Sequence, residues 1–416
     1  MNRGGWLLAG AALMLAAPLQ AETLHDAVAS AYATNPTLAS AHSRQDALSE
    51  ETEQARAGGR LTAALDASGG YDKFDYGKGG GATVSASLPI WTGGRVPAAI
   101  HAAQGDVAAG EQNVRDSEAS LLTSVVGAYA ELLYDQQAVD IAKADIALLD
   151  HQVAEAQARF KLGQATRTDV AQLVAQRASG VATLADAQAT LDMTQAGYRA
   201  VIGHDSGALA APPAGLASLP GTLDQARARA LADNPQLKAS LRTADASAAR
   251  VDAARANGNP SLTLGGDYGY DDNVGNANIG AFPRAAAIGL QLHVPILTGG
   301  LVSSQVRQAG AAHRADLFDA DAAARETVRQ VDSAWAALAS ARAQTDADEG
   351  RVDAADLALK GVRAEYAFGL RTTLDILVAD ESLRAAQLAL ARERSDTLIA
   401  ITALLRATGR LDHESF

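Results

Sequence analysis

Two kinds of apolar periodicity alternate along the chain, and each occurs twice. Leu61, Ala63, Leu65, Ala67 and Tyr71, then Ala82, Val84, Ala86, Leu88 and Ile90, recur at every second position or nearly so. Thr62, Asp66, Ser68 and Asp72, then Thr83, Ser85 and Ser87, lie between them. Leu262, Leu264, Tyr268 and Tyr270, then Ile288, Leu290, Leu292, Val294 and Ile296, repeat the pattern among Ser261, Thr263, Asp267, Asp271, Gln291 and His293. A period of two gives a strand one apolar and one polar face. The spacing predicts strands over about 61–73 and 82–91, and again over about 261–271 and 285–297. Lys73 to Gly81 and Asp272 to Arg284 read as the loops between them. Gly77-Lys78-Gly79-Gly80-Gly81 joins two strands and so lacks the strand–loop–helix setting of a phosphate loop.

After each strand pair the period changes. Val125, Leu132, Val139, Ile146, Val153 and Phe160 recur every seven residues, with Leu121, Ala128, Asp135, Ala142, Leu149 and Ala156 four positions before each. Val331, Leu338, Thr345, Val352, Leu359 and Tyr366 do the same, preceded by Thr327, Ala334, Ala341, Asp348, Ala355 and Val362. A sustained heptad means supercoiled helix packing, and the frequent alanines allow close approach. The pattern predicts long helices over 94–161 and 300–368, each ~100 Å long at the α-helical rise. Shorter helices return over 168–202 and 372–408. Asp169 and Asp375 fall in the first turn of the returning helices, where the helix dipole favours a carboxylate. Capping and a functional role are both open for these two.

Strand meets helix at a duplicated stretch. Leu88-Pro89-Ile90-Trp91-Thr92-Gly93-Gly94 returns as Val294-Pro295-Ile296-Leu297-Thr298-Gly299-Gly300, 206 positions on. Proline is tolerated at a strand end but not in its middle, and Gly-Gly is strong punctuation. Pro89, Gly93, Gly94, Pro295, Gly299 and Gly300 therefore mark two strand-to-helix junctions. Phe160-Lys161-Leu162-Gly163 falls on Tyr366-Ala367-Phe368-Gly369 at the same offset, Asp169 on Asp375 and Gly203 on Gly409. Ala33-Thr34-Asn35-Pro36 recurs as Ala232-Asp233-Asn234-Pro235. The chain is thus a tandem repeat. One unit spans 22–203 and the other 223–410, joined by a Pro/Gly-rich linker at 204–222, with a tail at 411–416. Each begins with a helix, over 24–57 or 223–256, broken at its Asn-Pro because the residue before proline disfavours the α region.

Residues 1–21 read as a secretory signal: Arg3, an apolar run from Trp6 to Ala17, then Pro18-Leu19-Gln20-Ala21. No cysteine is present, so disulfides, thiolate metal sites and an acyl anchor are excluded. The net charge of −13 argues against nucleic acid as a partner. No metal or cofactor motif stands out, and the eight histidines are scattered without a His-Glu-x-x-His or Gly-x-Ser-x-Gly signature, so no enzyme activity is expected.

Four amphipathic strands cannot close a barrel, since spanning barrels begin at eight, and an open edge cannot lie in lipid. Several copies must therefore share one barrel in an outer membrane, with the helices projecting into the periplasm. The repeat, the Asn-Pro, the Pro-x-x-x-Gly junctions and the Tyr366-x-x-Gly369-x-Arg371-Thr372-x-x-Asp375 turn together resemble the TolC family of outer-membrane efflux proteins. The resemblance covers essentially all of the chain after the signal. It implies a homotrimer with a twelve-stranded barrel and a long periplasmic helical tunnel. Such a tunnel exports drugs or secreted proteins with a periplasmic adaptor and an inner-membrane pump, ABC or proton-driven. It also implies a periplasmic gate. Tyr366 and Arg371 match the family's gate tyrosine and arginine, and Asp375 matches the first of two pore-lining aspartates. Val378 stands where the second would be. Thr168 and Asp169 match the residues that the family's arginine contacts. The alternative is a non-conducting periplasmic coiled-coil or adhesin-like protein; a porin for passive uptake has no use for such helices.

Overall fold

The computed structural model describes residues 21–72, 77–212, 219–274 and 284–415. The expected signal, up to its last residue, lies outside the described residues, as do parts of both strand-pair loops and of the linker.

Each repeat opens with a helix interrupted at Asn-Pro: α1 (Leu24–Thr34) and α2 (Pro36–Ala57), then α5 (Leu223–Asp233) and α6 (Pro235–Ala256) in the second. The asparagine ends one helix and caps the next. Asn35 Oδ1 accepts from the Thr37 and Leu38 amides at 2.9 and 3.3 Å, and Asn234 Oδ1 accepts from the Leu237 amide at 3.1 Å. Proline follows at the first helical position, where its missing N–H costs nothing. The remaining amide group reaches across the fold: Asn35 donates to the Val201 carbonyl and Asn234 to the Ala407 carbonyl. The motif therefore also ties the start of each repeat to its end.

The strands β1 (Thr62–Asp72), β2 (Gly77–Trp91), β3 (Ser261–Val274) and β4 (Arg284–His293) form one antiparallel sheet in that order. Two boundaries differ from the sequence pattern. β2 takes in Gly77 to Gly81, expected as loop, because β1 and β3 pair with it from both sides, as in Asp72↔Gly77 and Lys78↔Val274. Pairing thus overrides the poor strand propensity of glycine. β4 stops at His293 although the apolar alternation runs on to 297. β3 is its one partner and begins opposite His293, at Ser261, so nothing pairs with Val294 to Leu297.

Both Gly-Gly junctions use the left-handed backbone region, with φ of 65° and 91° at Gly93 and Gly94 and of 57° and 83° at Gly299 and Gly300. Residues with a Cβ rarely adopt it. The chain then enters α3 (Arg95–Lys161) and α7 (Leu301–Ala367), with the second glycine of each pair as N-cap. α4 (Arg167–Ile202) returns against α3, and α8 (Thr373–Ala407) returns between α7 and α3. The lateral order of the long helices is α4-α3-α8-α7. Along α3 the heptad is buried at Val125, Leu132, Val139, Ala142, Leu149 and Ala156, and it opens at Phe160 near the tip.

The main core lies where α1, α3, α4 and α8 meet the linker, around Tyr129, Leu132, Tyr198, Ile202 and Leu405. Tyr129 donates to the carbonyls of Glu22 and Ala210, and Tyr198 donates to the Glu22 carboxylate. These bonds fasten the first described residues and the linker to the bundle. Among the described residues no helix is long and apolar enough to cross a membrane.

Candidate functional site

The two helix-turn-helix tips lie at the end of the bundle away from the sheet. α3 ends at Leu162-Gly163 and α7 at Phe368-Gly369, where Gly163 and Gly369 have φ of 74° and 73°. Each tip then restarts on a threonine. Thr166 Oγ1 accepts from the Asp169 amide at 3.2 Å, while the Thr166 amide and hydroxyl donate to Asp169 Oδ2 at 2.9 and 2.8 Å. Thr372 and Asp375 repeat this arrangement at 3.3, 2.8 and 2.8 Å in the same order. Both aspartates close capping boxes. These hydrogen bonds, from the backbone first, hold the Asp169 and Asp375 carboxyls below the usual carboxylate range. A carboxylate so held is ionised throughout the physiological range.

Tyr366 links the tips. The Arg159 guanidinium, near the end of α3, stacks over the Tyr366 ring 4.8 Å from its centre, and the Tyr366 hydroxyl lies 3.5 Å from Thr373 Oγ1. Arg159 also pairs with Glu155 at 2.7 Å. Arg371 donates from Nε to Glu365 at 2.6 Å, within its own tip. Within one chain the structure therefore joins Tyr366 to the first tip through Arg159, but it does not bring Arg371 to Asp169 or Thr168. Thr168 is exposed. Apolar side chains crown the tips: Phe368 and Leu370 are 82% and 74% exposed, with Leu162 and Val378 exposed beside them.

Above the tips lies an ionic cluster that the heptad pattern conceals. Asp145 of α3 and Asp380 of α8 are both buried and adjacent. Arg384 of α8 donates to Asp145, and the Arg363 guanidinium of α7 lies 3.7 Å from Asp380. Burial first, and then the Asp145 carboxylate, push the Asp380 carboxyl up to about 6. The one sequence signal is an acid next to the apolar seam, Asp145 before Ile146. Only the fold brings it to Asp380. Among the described residues no group of His, Asp or Glu side chains could hold a metal ion.

A sheet with an exposed apolar face and two open edges, continued by 67-residue helices, is a narrow architectural description. The family described as outer membrane efflux protein matches residues 27–204 and 226–410, one segment for each repeat. The chain belongs to that family. Among its relatives, the outer membrane efflux protein BepC of Brucella suis is 32% identical over 97% of this chain and 89% of its own length. The outer membrane protein TolC of Vibrio cholerae is 28% identical over 72% of this chain and 69% of its own. Among solved structures, the outer membrane protein VceC of Vibrio cholerae superposes with a TM-score of 0.76 at 24% identity, covering 93% of this chain and 96% of that one. The fold is thus that of barrel-plus-helical-tunnel channels. The protein is an outer-membrane exit duct of a Gram-negative bacterium, and its family comprises transport ducts rather than enzymes.

Proposed function

We propose that three copies share one twelve-stranded barrel and one helical tunnel, and that the tips close its periplasmic mouth. The open edges carry this reading: a four-stranded sheet ending at β1 on one side and β4 on the other cannot sit in lipid alone. Planar-bilayer recording of the purified protein tests it. A duct conducts ions, whereas a non-conducting coiled-coil or adhesin-like protein gives no channels.

Arg371 acts as a latch between copies, exchanging its Glu365 contact for Asp169 and Thr168 of a neighbouring tip. Such a charge-assisted contact is one that a docking partner can break. Arg371→Ala should raise conductance, and unchanged conductance would rule the latch out. Asp375, kept ionised by its capping box, forms a ring of three carboxylates that favours cations. Asp375→Asn keeps an oxygen for the cap and should weaken block by multivalent cations from the periplasmic side.

The exposed Phe368, Leu370 and Leu162 form the patch on which a periplasmic adaptor docks, since exposed apolar patches of this kind mark interaction sites. The adaptor connects the duct to an inner-membrane pump, of the ABC or proton-driven type. Export of drugs and of secreted proteins both fit a duct with these tips, and the pump sets the cargo.

A further inference from the structure

Beside the linker, the helical wall holds a cavity of about 480 Å³, within the ~300–1,000 Å³ range of small-molecule sites. It is built inside one copy, by α3, α7 and α8, and Ala211 and Pro212 of the linker complete it. Tyr129 fixes that part of the linker by donating to the Ala210 carbonyl at 2.6 Å. Most of the lining is apolar, with Leu133 of α3 and Leu398 and Ile401 of α8 as its largest side chains. Gln137 of α3 and Arg394 of α8 line both this cavity and a more open adjoining cleft of about 450 Å³. They therefore stand at the mouth, where the two spaces meet. Among the described residues the Gln137 amide has no hydrogen-bond partner, and Arg394 is the one charged side chain lining the cavity.

We propose that this cavity binds a free amphiphilic anion, of the alkyl carboxylate class, with its head at Arg394 and Gln137 and its chain among Leu133, Leu398 and Ile401. A lone guanidinium at the mouth of an apolar space selects a negative head group by charge-assisted hydrogen bonds. Arg394 already meets Glu349 at 3.0 Å, but both side chains are more than half exposed. Such a surface pair contributes little, and a guanidinium has further N–H groups to offer. Asp140 lines the adjoining cleft and not the cavity, so the anion is disfavoured on that side and its chain turns inward. Each methylene taken from water into the apolar part tightens binding roughly fourfold. The bound molecule touches α3, α7 and α8 at once and fastens α8 to both neighbours.

The first hairpin carries neither the charge nor the space. At the offset of 206 positions, Arg394 corresponds to Gln188, Thr397 to Leu191 and Thr345 to Val139. Leu191 packs against the main core. Thr397 and Thr345 instead line the cavity, with their hydroxyls 3.1 Å apart. A threonine where the other hairpin has a leucine leaves room, and the hydroxyl pair satisfies itself without filling it. The second hairpin thus departs from the first at the positions that a binding site needs.

Size and position narrow the ligand further. Leu133 lies ~57 Å along α3 from Arg95, where sheet gives way to helix, so a lipid of the bilayer that holds the sheet cannot reach the cavity. A helix of another protein, about 10 Å across, fills roughly 400 Å³ per turn, and the cavity would hold little more than one turn. A free single-chain amphiphile meets both limits.

The chain has no cysteine, so Thr397→Cys places a single, half-buried thiol in the cavity. The measurement is its rate of modification by N-ethylmaleimide, with the full chain in lipid nanodiscs and each amphiphile below its micelle-forming concentration. Decanoate should slow the reaction several-fold and saturably. Octanoate, two methylenes shorter, should need about tenfold more for the same effect. Decyltrimethylammonium, with the same chain and the opposite charge, should leave the rate unchanged. Adding Arg394→Gln, which gives this exposed position the residue of the first hairpin, should raise the decanoate requirement several-fold. Ser49→Cys, exposed on α2, should react at one rate with or without decanoate. An unchanged rate at Thr397→Cys, or a thiol there that never reacts, overturns the site. Equal slowing at Ser49→Cys marks a surfactant effect on the whole protein and overturns it too. Equal slowing by the cation, or no effect of Arg394→Gln, overturns the selection of an anion.

Discussion

Asp380 is expected to make the helix packing above the tips sensitive to pH. Its carboxyl is buried where α8 meets α3 and α7, and the groups facing it are Asp145 of α3, Arg384 of α8 and Arg363 of α7. Burial and Asp145 raise its pKa from 3.8 to about 6. The packed state thus holds the proton more tightly than a solvated state does. Its advantage is full below the ordinary carboxylate pKa and is lost as pH rises through about 6. A shift of about two units corresponds to ~3 kcal/mol, roughly a hundredfold in the equilibrium between α8 packed and α8 released. Asp380 lies five residues after Asp375, so release there would free the start of α8. Acid should hold it packed and neutral pH should loosen it.

Hydrogen exchange over 376–392, corrected for its intrinsic pH dependence, is the direct assay. Protection should fall by up to about a hundredfold between pH 3.5 and 7, with a midpoint near 5, and level off above about 6. Channel open probability should rise over the same interval. Asp380→Asn removes the titration, so both profiles should become flat and protection at pH 7.5 should rise. Asp145→Asn removes the neighbouring charge and should move the midpoint to lower pH. A wild-type profile in Asp380→Asn, or an unmoved midpoint in Asp145→Asn, would refute the reasoning.

Further outcomes follow from the tips and the joints. Arg159→Ala deletes the cation over Tyr366, a contact worth ~0.5–1 kcal/mol at an exposed site; it should raise open probability, read in single-channel records at neutral pH. Gly93→Val forces a side chain into a left-handed residue with no room beside Asn259. It should cost ~1–3 kcal/mol or more and lower the yield of trimer in outer membranes. Asn234→Ala removes a buried cap and a tie to Ala407, costing ~1 kcal/mol and increasing proteolysis between α5 and α6.

Much of this fold is written in apolar spacing, because strand and helix periods are local properties of the chain. The two repeats, the Asn-Pro breaks and the Gly-Gly corners all show in residues that no other packing could use. What the spacing hides depends on who stands beside whom. Gly77 to Gly81 look like a loop until two neighbouring strands pair with them, and Val294 to Leu297 look like strand until β3 fails to reach them. At the tips the sequence marks Tyr366, Arg371, Asp169 and Asp375, but not Arg159, whose partner lies on α7, four helices on in the chain. Asp169 and Asp375 have the ordinary sequence of capping boxes as well as that of gate residues, and the structure has them doing the capping. Asp145 and Asp380 are separated by most of the molecule, and nothing in either neighbourhood announces the other.

The repeat also distinguishes the two hairpins at the level of Asp380. At the offset of 206 positions, Asp145, Asp380 and Arg384 correspond to Arg351, Val174 and Ala178. Within the first repeat, Arg363 and Asp380 become Gln157 and Val174. At the positions of Asp380 and Arg384, α4 therefore carries an apolar and a small residue and brings no titratable group of its own. α8 meets both of its neighbours with a buried carboxyl. Two hairpins of one shape are thus expected to differ: the α3–α4 hairpin should hold its packing as pH changes, and the α7–α8 hairpin should loosen. Transferring the cluster tests the division. Val174→Asp together with Ala178→Arg should give α4 a pH-dependent exchange profile that the natural protein lacks. If the unaltered protein already exchanges in α4 with a midpoint near 5, the two hairpins are not distinct in the way their residues require.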